Sequence, residues 1–435
     1  MTEDVYHELF SQVGRDESPR QSFFANRRAS VKNRAILAYD STTISTYSEN
    51  QIEVRYGFNK DKDGLKTIKL LTLYSIETRQ PVAFTKQSGN IPDVITIENA
   101  LRRLSALGLG DAEIVTDNGY FSEHDLAELF LARFDFITLI KSSLKWVKAE
   151  IDSHLDDFGS VTTACPFDAG THGLTIQLTR DFIKVRKYDN KKLGVQKGDE
   201  EIFQRRVYLH LYFNSVKKAE EDVYFDNDMI ELRRNIETGV NIDDLPKNAL
   251  KKVVKYLHIK RRGDDIHVTF NEDACKEAKR HHGFFALVSN HEKNPFDCLC
   301  KYRKRETIES FFQSMKSRAD GMRVRVWDTD TLRGRMFTQF VALCYYEYLS
   351  EEIRHMKKQL GIKNGEPVHD ESANLLIEKK LKSWLDNSPI YLVSRWFDTV
   401  DCVKISSKLA SKRWTTEITL RDRMFLKKMG VTLPS

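Results

Sequence analysis

A mixed α/β sheet is the fold class the sequence predicts for residues 34–140, and three observations predict it. Apolar runs of strand length recur at 35–39, 67–76, 81–86, 113–117 and 134–140. After the third and fourth of them the apolar residues switch to helical spacing. Turn and cap residues stand at the joints. The order is therefore three strands, a helix, a strand, a helix and a strand, which is the pattern of a mixed sheet.

Each element has its own warrant. Ala35 to Tyr39 is a short buried strand that ends at Asp40. Thr67–Ile76 and Pro81–Lys86 are two further strands, joined by the turn-prone Glu77–Gln80. Ile97, Leu101, Leu104 and Leu107 keep helical spacing, with Asp93 as the expected cap after Pro92 and Gly108 as the terminator. Glu113–Asp117 is the fourth strand, and Asn118 and Gly119 shape the turn after it. Ser122-x-x-Asp125 is a capping signal for a helix carrying Leu126, Leu129 and Phe130, before a fifth strand at Phe134–Ile140. If the first three strands form a meander, the helix returns the fourth beside the first and parallel to it. Asp40 and Asp117 then end neighbouring strands at one carboxyl edge, where function clusters in open α/β sheets.

Outside this core the pattern loosens. Residues 141–300 contain strand-like LTIQL (174–178) and RRVYLHLYF (205–213), with charged helical stretches near 217–235 and 246–257. They read as an inserted, β-rich domain, closed by a strand at GFFALVSN (283–290). The core resumes over 301–350, where Leu332–Leu349 has the spacing of a packed helix, and 351–435 reads as a helical C-terminal region. Residues 1–33 are polar and charged and read as an arm without a clear helix-turn-helix.

A chain of 435 residues exceeds one ordinary core. Its longest apolar runs fall short of the ~18 residues of a membrane span, and the N-terminus lacks a signal-peptide pattern, so a cytoplasmic location is expected. Six scattered cysteines predict reduced thiols rather than a disulfide framework. No GxxxxGK[ST] loop supports ATP use, and no G-x-S-x-G element supports a hydrolase. The net charge of +6 is modest but unevenly placed. Residues 301–340 hold ten Lys or Arg against five Asp or Glu, and KKVVKYLHIKRR (251–262) contains no acid, which suits a phosphate-backbone partner.

The most informative stretch is KYRKRETIESFFQSMK, where Tyr302, Arg305, Glu309 and Lys316 read Y-x2-R-x3-E-x6-K. On one helix of ~3.6 residues per turn these four share an arc of roughly sixty degrees. Ile308, Phe311, Phe312 and Met315 form an apolar stripe beside them. Asp40, Asp117 and Glu309 are candidate catalytic residues and metal ligands: acidic residues can hold two Mg²⁺ ions that activate water or a 3′-hydroxyl at a phosphodiester. Arg305 and Lys316 would hold phosphates, and Tyr302 could donate its hydroxyl to a phosphate oxygen. Glu306 is the rival third ligand, and Asp93 could join the site. A zinc site from Cys298, Cys300, His281 and His282 lacks the usual ligand spacing.

Together these pieces, YDSTTIS around Asp40, VTDNGYFS around Asp117 and the spaced Tyr302–Lys316 signature, resemble the DDE transposases of bacterial insertion sequences. The resemblance is to the subgroup with the Tyr-Arg-Glu-Lys (YREK) signature and covers residues 34–350. It implies a ribonuclease-H-like core interrupted by a β-rich insertion, with Asp40, Asp117 and Glu309 as the triad on two Mg²⁺ ions, for which Mn²⁺ can substitute. It implies cleavage at transposon ends and strand transfer into target DNA, with Tyr302, Arg305 and Lys316 on end DNA, and a homodimer bridging two ends of double-stranded DNA in the bacterial nucleoid. Where family members excise through a hairpin, an aromatic holds a flipped base; Trp146 and Trp327 are candidates by location, with core packing as the alternative. The family carries a DNA-recognition region ahead of the core; against that pattern the 1–33 arm implies end recognition that is weakened, moved to the insertion or lost through truncation of such a region. A ribonuclease-H-like nuclease and a non-catalytic, transposase-derived DNA-binding regulator are the competing readings.

Overall fold

The structure is a computed structural model that describes residues 2–48, 51, 53–186, 189, 196–262, 265–318, 323–324, 326–360, 372–406 and 411–431. The chain forms two compact units, Gln21–Glu77 with Val82–Ser310, and Met1–Arg20 with Thr78–Pro81 and Phe311–Ser435. Boundaries read from sequence at 33, 140, 300 and 350 are not the boundaries of these units.

The larger unit is built on a mixed sheet. Its strands are β1 (Ile36–Thr46), β2 (Lys66–Ser75), β3 (Gln80–Ser88), β4 (Glu113–Thr116), β5 (Asp135–Ile140), β6 (Thr171–Val185), β7 (Glu200–Asn214) and, after a separate β8–β9 pair (Leu257–Arg262 and Asp265–Phe270), β10 (Phe284–Ser289). The spatial order is β3-β2-β1-β4-β5-β10-β7-β6. The expected meander and parallel return are present: β1 is antiparallel to β2 and parallel to β4, and β4 is parallel to β5. Strand β1 is buried on both faces, as a central strand covered from two sides should be.

Asp40 does not end its strand. Parallel pairing with β4 stops at Tyr39, but β1 runs on to Thr46 because its Ser/Thr-rich second half keeps β2 as an antiparallel partner. β-Branched threonines suit a strand, and their hydroxyls let a polar segment remain buried.

Strands β6, β7 and β10 continue the core sheet beyond β5 rather than forming a separate β-rich domain. The physical reason is cover. The inner half of β7, Val207–Tyr212, is buried against β10, and a lone two-stranded ribbon could not have provided that burial. Beyond this half the β6–β7 ribbon becomes largely exposed. The same segment is also strongly helical, with α5 (Lys145–Ser153), α6 (Ser215–Glu237), α7 (Lys247–Tyr256), α8 (Glu272–Lys279) and α9 (Pro295–Lys304), after α3 (Ile97–Ala106) and α4 (Glu123–Leu131) of the core. Met229, Leu232 and Ile236 of α6 join Val253, Leu257 and Val268 in a small satellite core.

The second unit is mainly helical, but the C-terminal stretch read as helical also holds an antiparallel hairpin of Cys402–Ser406 and Ser411–Thr415. Helix α1 (Glu3–Arg15) lies against the long α11 (Thr329–Gln359), so the N-terminal residues are ordered rather than an arm; they continue into α2 (Glu17–Ala29). Glycines make the α1–α11 approach possible: a Cβ on Gly334 would stand 1.8 Å from the Phe10 carbonyl oxygen. Helices α12 (Ser372–Asn387), α13 (Ile390–Phe397) and α14 (Leu420–Lys428) complete it around Leu381, Leu385, Val393 and Phe425. Among the described residues, no helix is long and apolar enough to cross a membrane.

Candidate active site

The signature stretch is not one helix. Helix α9 stops at Lys304, and α10 (Thr307–Arg318) begins after a tight turn at Arg305–Glu306. Bonds of i→i+3 type carry the chain through it, from the Arg305 N–H to the Tyr302 carbonyl (3.0 Å) and from the Ile308 N–H to the Arg305 carbonyl (2.9 Å). This tightening turns the buried Arg305 inward from the junction, while the apolar stripe of Ile308, Phe311, Phe312 and Met315 is buried as expected.

Register brings the first two carboxylates together. Tyr39 and Thr116 are the last paired residues of β1 and β4, so Asp40 and Asp117 are the next residue on each strand. Asp117 closes its strand by accepting from the Asn118 N–H at 2.7 Å, which caps a short 3₁₀ turn over Asn118–Tyr120.

One guanidinium then meets all three candidate acids. Arg305 Nη1 is 3.5 Å from Asp40 Oδ2, and Nη2 is 3.6 Å from Asp117 Oδ2 and 3.3 Å from Glu309 Oε1. The site grades from interior to solvent: side-chain exposure is 6% for Arg305, 12% for Asp40, 40% for Asp117 and 61% for Glu309. The Tyr302 hydroxyl donates to Asp117 Oδ1 at 3.1 Å, and its ring lies 5.3 Å from the Arg305 guanidinium carbon. Lys316 sits further along α10, half-buried, in the stretch that belongs to the helical unit.

The electrostatics follow from this crowding. Burial pushes the Asp40 carboxyl up; Lys60, the Ser41 N–H and Arg305 pull it down, and Asp117 adds to the rise. Burial works against charge on Arg305, but Tyr302, Asp117, Asp40 and Glu309 outweigh it and hold the guanidinium protonated. Burial and then Asp117 keep the Tyr302 hydroxyl protonated well above its ordinary range. Arg305 is nevertheless poorly satisfied. Its ion-pair distances exceed the ~2.7–2.9 Å of strong charge-assisted bonds, and its buried Nε has no hydrogen-bond partner.

Helix α9 is anchored along the sheet. Lys301 Nζ bridges Glu113 Oε2 (3.0 Å) and Glu292 Oε2 (2.9 Å), His291 Nε2 lies 3.4 Å from Glu113 Oε1, and Arg303 pairs with Asp168. Glu113 begins β4 and Asp117 follows its end, so neighbouring residues of α9, Lys301 and Tyr302, grip both ends of one short strand.

Two supporting residues escaped the sequence reading. The Tyr120 hydroxyl donates to Asp40 Oδ1 at 3.3 Å, and Lys60 Nζ donates to the Ser41 carbonyl at 2.9 Å. Tyr120 stands within the VTDNGYFS motif and could have been flagged there; Lys60 comes from an irregular stretch without periodicity. Asp93 does not cap the following helix. It pairs with the buried Lys69 at 2.7 Å and accepts from the Ser41 hydroxyl at 2.9 Å, placing it behind the Asp40 segment.

The rivals fall elsewhere. Glu306 is exposed in the turn, and Arg305 pairs with Glu309 instead. Trp146 presents its ring to the Arg180 guanidinium, 4.0 Å away, whereas Trp327 is 62% exposed. Cys298 and Cys300 are free thiols, His281 pairs with Asp152 and His282 with Asp222. Glu98, His124 and Glu128, on α3 and α4, have ligand atoms within 4.8 Å of one another among the described residues. They are partly exposed and separate from the Arg305 cluster.

The three acids around Arg305 are an all-oxygen set gathered around positive charge, the donor chemistry that hard divalent cations take. A family model described as Transposase DDE domain matches residues 32–345. The chain belongs to this transposase family. The matched stretch of the DDE domain opens just before β1 and closes within α11, so it spans every residue of the Arg305 cluster. Among solved structures, the transposase chain is similar to the cryo-EM structure of the piggyBac transposase synaptic complex with hairpin DNA, at a TM-score of 0.37 and 11% identity. The likeness covers 89% of this chain and 61% of that one. None of the curated proteins compared with the transposase matches it.

Proposed function

We propose that this transposase cleaves DNA at transposon ends and joins the freed 3′-ends to target DNA, with Asp40, Asp117 and Glu309 as its metal-holding triad. The observation that carries the reading is the convergence of three carboxylates, remote in sequence, on one buried guanidinium. A ribonuclease-H-like core, membership of the YREK subgroup, a bacterial insertion-sequence origin and action as a homodimer on two DNA ends belong to the same proposal.

Bound by these acids, Mg²⁺ (two ions, or Mn²⁺ in its place) would supply an activated water or 3′-hydroxyl and neutralise the leaving oxygen. In the first step a water oxygen bonds to phosphorus and the 3′-oxygen leaves; in the second that 3′-hydroxyl attacks a target phosphorus and displaces the target's 3′-oxygen. The number of phosphodiester bonds is unchanged by the second step, so no energy cofactor is required. The chain's own contribution is geometric. Strand register fixes Asp40 beside Asp117, and the α9–α10 turn delivers Glu309. Tyr302 and the Asn118 N–H hold one oxygen of Asp117, and the other faces the Arg305 guanidinium at 3.6 Å. Arg305 and Lys316 supply positive charge for the DNA backbone.

The test is Glu309→Ala assayed on duplexes drawn from the DNA flanking the gene. Strand cleavage should vanish while DNA binding persists. Full cleavage by this variant would remove Glu309 from the mechanism. Joining of the 3′-end to a second duplex separates a transposase from a simple nuclease, which only hydrolyses, and from a DNA-binding regulator, which does neither.

A further inference from the structure

We infer that Arg305 is an electrostatic latch that couples metal loading to DNA binding: its guanidinium takes the position of counter-ion to the three acids until a DNA phosphate draws it away. The inference rests on the reading of Asp40, Asp117 and Glu309 as metal ligands, and adds a role for Arg305 beyond holding phosphate.

Three observations support it. The guanidinium spans the three carboxylates and so supplies the positive charge that any metal there would otherwise provide. A divalent cation brought among the same oxygens would be repelled by it and would have to compete for their lone pairs. Second, the contacts are built to be exchanged. A permanent structural arginine makes short, forked bonds to one carboxylate, whereas here single contacts of 3.3–3.6 Å are shared among three acceptors and Nε is left without a partner. Third, Arg305 stands at the junction of α9 and α10 rather than within either helix, and Glu309, its most exposed partner, lies on the solvent side, the side from which a phosphate arrives. A phosphate oxygen offers the planar fork a bidentate partner. Once the guanidinium turns to it, the carboxylates regain their negative charge and metal affinity rises. By linkage, metal must tighten DNA binding by the same factor. The result is a site that charges with metal on DNA and stays quiet away from it.

The test measures Mn²⁺ binding by the decrease of the free-ion paramagnetic resonance signal, on the full chain. Without DNA, Arg305→Gln should bind Mn²⁺ at least tenfold more tightly than wild type, and Arg305→Lys, which keeps the charge, should remain near wild type. Adding duplex DNA should tighten Mn²⁺ binding to wild type about tenfold and to Arg305→Gln hardly at all, with the same mixture containing Asp40→Ala subtracted for ions held by DNA itself. Equal or weaker Mn²⁺ binding by Arg305→Gln would overturn the latch and leave Arg305 a positioning residue. Should that variant not fold, the DNA-dependent tightening of wild type decides alone, and its absence refutes the inference. Loss of all Asp40-dependent Mn²⁺ uptake would instead sink the metal-site reading on which the latch depends.

Discussion

Replacing Lys301 by methionine isolates the clamp that holds α9 to the sheet. Lys301 Nζ lies 3.0 Å from Glu113 and 2.9 Å from Glu292, and Glu113 is only 8% exposed. Removing the ammonium strands two carboxylates in one partly buried place. Losing one partner of a fully buried pair costs about 3–5 kcal/mol. Lys301 keeps 24% exposure and His291 still faces Glu113, so a loss of roughly 2–4 kcal/mol is expected here. The pH dependence sharpens the test. Burial raises the Glu113 carboxyl above its ordinary range, against the pull of His291 and Lys301. Glu292 lies below its ordinary range: burial opposes its charge, but bonds from Lys301 and the Asn294 N–H prevail. Without Lys301 the raised Glu113 carboxyl rises further and the depressed Glu292 carboxyl rises as well. An acid whose folded-state pKa is raised contributes stability as pH falls, and one whose pKa is depressed loses its contribution as pH falls. Both effects narrow the gap between Lys301→Met and wild type on acidification. The assay is the urea midpoint at unchanged slope from pH 7 down to pH 4, with Glu292→Gln and the double variant closing a cycle. Equal midpoints at neutral pH, or a gap that widens on acidification, would refute the clamp.

Tyr302→Phe removes the hydroxyl that donates to Asp117, a neutral-to-charged bond of roughly 1.5–3 kcal/mol, so single-turnover cleavage should slow about tenfold or more, with partial recovery at raised Mg²⁺. A variant that matches wild type at limiting Mg²⁺ contradicts the orienting role. His210 is fully buried, and burial lowers its pKa to about 4 from an ordinary 6.5. The unfolded chain binds the proton more readily, so stability should fall as pH drops from about 6.5 toward 4, by up to about 3 kcal/mol. His210→Gln should flatten that slope in thermal melts, and an unaltered slope would show that His210 does not control it.

Much of the core was legible in the chain itself. Periodicity identified the first five strands and the helices between them, and the return of β4 beside β1 followed from connection rules alone. That step paired Asp40 with Asp117, because register in a parallel sheet is a local consequence of neighbouring strands. Reading 3.6-residue spacing across Tyr302–Lys316 found the buried stripe of Ile308, Phe311, Phe312 and Met315 and failed on the single helix, since a tight turn at Arg305–Glu306 preserves helical hand while breaking the hydrogen-bond pattern. The polar N-terminal helices were missed because an amphipathic helix with few apolar residues resembles a loop until the groove that receives it is known.

The primary structure by itself determined which strands lead to Asp40 and Asp117, since that depends on local pattern and chain connectivity. Only the tertiary structure decided that β6, β7 and β10 extend the main sheet, that Lys60 and Tyr120 support Asp40, and that Arg305 lies among all three acids. Those outcomes depend on burial and charge balance between segments scores of residues apart. No local period encodes them, because each is chosen by what the rest of the fold leaves uncovered or unpaired.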